Sequence, residues 1–183
     1  MLSARAAATG RSLRTTAASL RSPGSGEAGL TPSYEAASLN FHVDSATAED
    51  IAEFDAYRYE APYDFYNGDG DPVENPERFF AVRDAQGELV GFYYFEWKRD
   101  ALEIGLGLRP DLTGRGLGLD FLRSGLSFGR SHFGAERIVL NVAAFNERAI
   151  KVYERAGFQR SGEHVRSFTR WGRVPFVEME LVR

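Results

Sequence analysis

Between Gly105 and Gly118 the chain reads Gly-Leu-Gly-Leu-Arg-Pro-Asp-Leu-Thr-Gly-Arg-Gly-Leu-Gly, a short apolar strand that breaks at Pro110 and re-enters a helix through three alternating glycines. Glycine at 114, 116 and 118 removes side chains, so consecutive backbone N–H groups can face an anion while the positive end of the next helix dipole lies beside them. That arrangement suits a phosphorylated cofactor. The same pattern also serves as a plain strand-to-helix connector, and on its own a short motif of this kind does not decide between the two.

A second concentration of reactive types lies at Tyr57-Arg-Tyr-Glu-Ala-Pro-Tyr-Asp-Phe-Tyr-Asn-Gly-Asp-Gly-Asp71. Here Glu60, Asp64, Asp69 and Asp71 interleave with Tyr57, Tyr59, Tyr63 and Tyr66, as an acidic, aromatic pocket for an amine would require through charge and cation–π contacts. The alternative is a solvated loop with packed rings, which suits Asp69 and Asp71 beside Gly68 and Gly70. Other chemistries are closed off. There is no cysteine, hence no thiolate nucleophile, disulfide or thiolate metal site. The three histidines, His42, His132 and His164, have no metal-ligand spacing, so no metal is expected, and His132 and His164 read as surface or core residues.

At 183 residues the chain holds one ordinary domain. Its composition, 43% hydrophobic and 26% charged, is that of a soluble globular protein, and no apolar run approaches membrane-spanning length. A formal net charge of −4 offers no basic face for nucleic acid and is compatible with a small cationic substrate. Residues 1–38 read as a flexible N-terminal extension and 39–183 as the folded domain. The first 26 residues hold four arginines and no acid or aromatic, which fits a disordered tail in a cytoplasmic protein or an organellar transit peptide.

The elements that must position these residues follow from periodicity. Phe41 and Val43 start a first strand, and Thr47 caps a helix running to about Arg58. Phe79 to Val82 and Leu89 to Trp97 form strands joined by the turn Asp84-Ala-Gln-Gly87, the second of them apolar on both faces and therefore central. Ala101 to Leu108 is the strand feeding the glycine loop. In the helix beyond it, Gly118, Leu119, Leu122, Gly125, Leu126, Gly129 and Phe133 share one face. Ile138 to Val142 is a further strand, Asn146 caps a helix that Gly157 stops, and Gly162 to Trp171 and Val174 to Val182 close the chain as two strands. The plan is mixed α/β.

In this element order and in two separated motifs the chain resembles the GCN5-related N-acetyltransferase superfamily. That family's Gln/Arg-x-x-Gly-x-Gly/Ala is matched by Thr113-Gly-Arg-Gly116-Leu-Gly118, with Thr113 at the Gln/Arg position. Its second signature is similar to Asn141-Val-Ala-Ala-Phe-Asn146-Glu-Arg-Ala149-Ile-Lys-Val-Tyr153-Glu-Arg-Ala-Gly157-Phe158. The resemblance spans about Phe41 to Arg183. It implies a central, mostly antiparallel sheet with a splayed parallel pair and helices on both faces.

The resemblance also implies acetyl-coenzyme A as co-substrate and transfer to an amine, which without cysteine would be direct. The backbone of Leu106, Gly107 and Leu108 would bond the pantetheine arm, and the N–H groups of Arg115, Gly116, Leu117, Gly118 and Leu119 would hold the pyrophosphate, with Thr113, Gly114 and Asn141 alongside. Arg115 reads as a cation beside the phosphates or as a solvated loop charge, and Asn146 as a cofactor contact as well as a cap. Tyr153 is the general-acid candidate for the leaving thiolate or a packed core ring. Glu103 is the base candidate or a half-exposed ion-pair residue, with Glu96 on the neighbouring strand as its substitute. Tyr59, Glu60, Tyr63, Asp64 and Tyr66 fall on the acceptor side. The acceptor would be a small-molecule or peptide amine, and a homodimer is compatible. An acyl-coenzyme A-binding module without useful acid or base chemistry is the alternative function.

Overall fold

The computed structural model describes residues 40–70 and 72–182, so the expected N-terminal extension lies outside the described residues. Seven strands form one sheet: β1 (His42–Ser45), β2 (Phe79–Arg83), β3 (Leu89–Lys98), β4 (Ala101–Leu108), β5 (Arg137–Ala143), β6 (Gln159–Phe168) and β7 (Gly172–Val182), in the order β1-β2-β3-β4-β5-β7-β6. Every neighbouring pair is antiparallel except β4 and β5. Among the described residues three α-helices accompany it: α1 (Ala48–Asp55), α2 (Gly118–Phe133) and α3 (Glu147–Arg155). This is the mixed sheet with a parallel pair that the resemblance implied, and no helix among the described residues is long and apolar enough to cross a membrane.

Helices cover both faces. On one, Phe121, Leu122 and Leu126 of α2 and Ile150 of α3 pack with Tyr93, Phe95, Leu102, Ile104, Ile138 and Leu140. On the other, Phe54 of α1 joins Tyr57, Phe79, Phe92 and Tyr94. The doubly covered β3 is buried from Leu89 to Phe95, as its two apolar faces require. Gly125 permits the close approach of α2, because a Cβ there would lie 2.9 Å from the Tyr93 ring. The Tyr93 hydroxyl donates to the Phe121 carbonyl at 2.6 Å, satisfying the phenol where it is fully buried.

Helix α1 is shorter than the sequence suggests. Thr47 and Asp50 form a reciprocal capping box at its start, but it ends at Asp55 rather than near Arg58. Arg58 folds back and donates to the carbonyls of Asp55 (2.6 Å) and Tyr57 (2.9 Å), closing the helix end with a guanidinium. Beyond it the aromatic segment contains a short 3₁₀ turn, Tyr63–Tyr66, packed against the open end of the sheet. On α2 the buried face includes Phe121, while Leu119 and Phe133 at the ends of the expected stripe are only half-buried.

Candidate active site

The feature that creates the site is the parting of β4 and β5. Their ladder consists of Leu102↔Ile138 and Glu103↔Val139 alone, although β4 runs on to Leu108 and β5 to Ala143. Beyond that last rung the facing edges have no partner strand, and backbone groups inside a protein need one. The gap opens into a cavity of about 360 Å³, the size range of small-molecule sites. It is lined by Leu106, Gly107, Leu108, Thr113, Gly114, Gly116, Gly118, Leu119, Asn141, Asn146 and Tyr153, and by Tyr59, Tyr63 and Tyr66 of the aromatic segment. One cleft thus brings together residues spread over most of the domain.

At its mouth lies the glycine loop. Gly114 (φ +78) and Gly116 (φ +83) are left-handed, a conformation that costs other residues about 1–2 kcal/mol. A Cβ at either would meet nothing within 4 Å, so the space before them is open and the glycines answer to backbone conformation, not to packing. Gly118 differs, since a Cβ there would touch Val152 at an ordinary 3.6 Å and its φ is not positive. At the N-cap of α2, Leu117 offers no side-chain acceptor, leaving first-turn N–H groups for another partner. The Thr113 hydroxyl donates to the Pro110 carbonyl at 2.8 Å and braces the turn. Arg115 is exposed, and neither it nor Leu117 lines the cavity.

Asn146 caps α3 through Oδ1, which accepts from the Ala149 N–H at 3.2 Å, while its Nδ2 donates to the Tyr66 hydroxyl at 3.2 Å. The Tyr59 hydroxyl donates to the Leu108 carbonyl at 2.8 Å, and Asn67 clamps the Tyr59 backbone on both sides (2.6 and 3.3 Å). The aromatic segment is therefore tied to both walls of the gap. Burial pushes the phenols of Tyr59, Tyr66 and Tyr153 above the ordinary tyrosine value, for Tyr153 with a smaller contribution from nearby Tyr66. All three are neutral hydrogen-bond donors at physiological pH.

The expected carboxylates sit elsewhere. Glu103 is buried at the last paired rung of β4 and β5, below the opening, where its Oε1 accepts from Asn141 Nδ2 at 2.8 Å and Lys98 Nζ lies 3.8 Å from its Oε2. It does not line the cavity. By accepting from the amide nitrogen Glu103 fixes the Asn141 side chain, whose buried Oδ1 has no hydrogen-bond partner. Glu96 is engaged by Arg78, Lys98 and Tyr94. Glu60 is exposed, and Asp64 lies 3.9 Å from Arg170 Nη2. Asp69 borders a separate small cavity, and Asp71 is outside the described residues. The pocket wall is aromatic as expected, and among the described residues no carboxylate lines it. In a 3₁₀ turn residues i and i+3 eclipse, so Tyr63 and Tyr66 share the cleft side while Asp64 turns away.

Two arginines also line the cavity, Arg148 and Arg155, and sequence reasoning did not single them out. The signal was present, since Arg148, Val152 and Arg155 recur at i, i+4 and i+7 and so form one stripe of α3. The Arg148 guanidinium lies 4.4 Å from the centre of the Tyr63 ring. Among the described residues no cluster of histidine, aspartate and glutamate is arranged to hold a metal.

Comparison with known proteins gives the family of this chain, whose strand pair parts over a glycine-lined helix entrance. Residues 40–159 match the family model described as Acetyltransferase (GNAT) domain, and the chain belongs to that family. A mycothiol acetyltransferase of Propionibacterium freudenreichii subsp. shermanii is 39% identical over 92 residues, which are 46% of this chain and 28% of that protein. The spermidine N(1)-acetyltransferase of Vibrio cholerae is 27% identical over 135 residues, 67% of this chain and 76% of the relative. The chain thus spans under a third of the length of the mycothiol acetyltransferases it matches. Among solved structures, a Vibrio cholerae–human chimera of spermidine N-acetyltransferase shares the fold with TM-score 0.61 and 22% identity, covering 78% of this chain and 95% of that one. An acetyltransferase of the same family from Bacillus anthracis does so with TM-score 0.60 and 16% identity, covering 78% and 94%.

Proposed function

We propose that the protein transfers the acetyl group of acetyl-coenzyme A directly to a primary amine. The observation that carries this reading is the continuity of one cleft from the open, left-handed glycines 114 and 116, through the unpaired edges of β4 and β5, to the Tyr153 hydroxyl. Backbone N–H groups from Gly114 to Leu119 suit a pyrophosphate, and the edge of β4 at Leu106 to Leu108, where the Tyr59 hydroxyl already bonds the Leu108 carbonyl, offers its remaining groups to the amides of a pantetheine arm. Acetyl-coenzyme A supplies the activated thioester.

The chain's own groups orient the reactants and stabilise charge. Tyr153 presents a neutral phenol to the place where negative charge develops on the leaving sulfur. Its raised pKa lies above that of an ordinary thiol, so it acts by donating a hydrogen bond to the thiolate; complete proton transfer to sulfur is uphill. Glu103 holds the Asn141 amide at the base of the cleft. With no carboxylate among the described lining residues, the ammonium proton leaves to bulk water before the amine enters the cleft, and the proton released by the attacking nitrogen passes to the departing thiolate as the amide forms. The neutral rings of Tyr59, Tyr63 and Tyr66 then keep water from the thioester.

Thiol release from acetyl-coenzyme A, measured over small amines and peptides, tests this reading. Release with at least one amine supports it. Binding of acetyl-coenzyme A with no release across the panel favours the second reading, an acyl-coenzyme A-binding module, which the missing lining carboxylate keeps in view.

A further inference from the structure

The cleft lining carries an unbalanced positive charge: Arg148 and Arg155 line the cavity, and among the described residues no aspartate or glutamate does. Arg148 is exposed in the first turn of α3, where a cation opposes the helix dipole. Its neighbour Glu147 reaches towards Lys151 (4.0 Å) instead, and among the described residues no carboxylate lies within ion-pair distance of Arg148. A local rule broken without compensation is characteristic of functional positions. Tyr63, itself part of the lining, holds the guanidinium at 4.4 Å over its ring face, which leaves the N–H edges directed outward from the stack. The charge is felt across the aromatic wall, since Arg148 offsets part of the upward shift of the Tyr59 phenol.

We propose that Arg148 is a specificity-determining residue that pairs with a carboxylate of the acceptor, so the substrate is an amine that also bears a carboxylate, such as an amino acid or a short peptide, and not a polyamine. The inference rests on the transfer reading above. Arginine's planar fork matches a carboxylate bidentately, and its seat on Tyr63 reduces the freedom lost on binding. A polyamine would bring further positive charges into a cleft that already holds two and offers no lining anion. The neutral rings of Tyr59, Tyr63 and Tyr66 then contact the part of the acceptor between amine and carboxylate.

The test is thiol release from acetyl-coenzyme A with α-amino acids, ω-amino acids and dipeptides, each beside its carboxamide, and with linear polyamines, for the wild type, Arg148→Ala and Arg148→Lys. The binding constant of acetyl-coenzyme A is measured for each variant by calorimetry. The expected result is a carboxylate-bearing amine used at least about tenfold better in kcat/KM than its carboxamide, as befits a charged hydrogen bond. That preference is lost in Arg148→Ala and partly kept in Arg148→Lys, while acetyl-coenzyme A binding stays within about twofold. Carboxamides or polyamines used as well as or better than the acids would overturn the inference and leave the transfer reading standing. Weakened acetyl-coenzyme A binding in Arg148→Ala with an unchanged acid-to-amide ratio would also overturn it, by assigning the guanidinium to a cofactor phosphate. No release with any amine would remove the transfer reading itself. Unaltered melting temperatures show that the variants are folded.

Discussion

Replacing Gly116 with alanine separates the conformational role of the glycine loop from its role in binding, because the same helix carries a matched control. Gly116 (φ +83) stands at the entrance of α2 and Gly134 (φ +67) at its exit, and a Cβ on either would meet nothing within 4 Å. Each alanine should therefore pay only for left-handed backbone, about 1–2 kcal/mol, offset by about 0.4–1 kcal/mol from the stiffer unfolded chain. The net loss is about 1 kcal/mol for both, or about 2–4 °C in melting temperature for a domain of this size. Only at Gly116 does the methyl enter the space assigned to phosphate. Losing one hydrogen bond to a charged group there weakens coenzyme A binding by about 10- to 100-fold. Calorimetric titration of coenzyme A into Gly116→Ala and Gly134→Ala, with melting curves for each, measures both quantities. Equal affinities in the two variants would refute the cradle and return the loop to a plain connector.

Tyr153→Phe removes the hydrogen bond proposed for the departing thiolate and is expected to lower kcat by about 10²–10³ with little change in acetyl-coenzyme A binding; unchanged turnover would assign the ring to packing. Burial raises the phenols of Tyr57, Tyr59, Tyr66, Tyr93, Tyr94 and Tyr153 above the ordinary tyrosine value of about 10. In the pH interval above that value the native state therefore holds more protons than the unfolded chain, so the stability they contribute is full below it and is lost as pH rises through the shifted values. Tyrosinate absorbance of the native protein should lag that of the denaturant-unfolded chain in an alkaline titration, and superimposable curves would contradict the burial. Gly125→Ala gains about 1 kcal/mol of helix propensity but drives a methyl to 2.9 Å from Tyr93, a ring pinned by its bond to Phe121. Overpacking of about 1–3 kcal/mol should dominate, giving a net loss in denaturant unfolding; a stabilised variant would show that the ring yields.

Much of the fold was legible because its signals are local and strong. The two-faced β3, the Thr47 cap, the glycine-bearing stripe of α2 and the Asn146 cap all follow from spacing, and the structure keeps each. The glycine end of the cleft was legible for the same reason, since alternating glycines before a helix mark a special backbone turn, and Gly114 and Gly116 are left-handed there. The aromatic end was not. Acidic residues in a loop have no periodicity to fix their direction, and a single 3₁₀ turn sends Tyr63 and Tyr66 one way and Asp64 another. Glu103 was placed in the cleft by its strand alone, whereas the position of the last β4–β5 rung, which decides whether a β4 residue is buried beneath the gap or lines it, is a property of pairing between distant segments. Arg148 and Arg155 escaped notice because charges on a helix usually mark its solvated face.

The central claim is that the parted strands and the glycine loop form one coenzyme A site. A crystal structure of the protein with coenzyme A tests it most directly. The account predicts the pyrophosphate against the backbone of Gly114 to Leu119, the pantetheine arm along the free edge of Leu106 to Leu108, and the sulfur within hydrogen-bonding reach of the Tyr153 hydroxyl. Coenzyme A seated outside the gap between β4 and β5, or a sulfur remote from Tyr153, would contradict it.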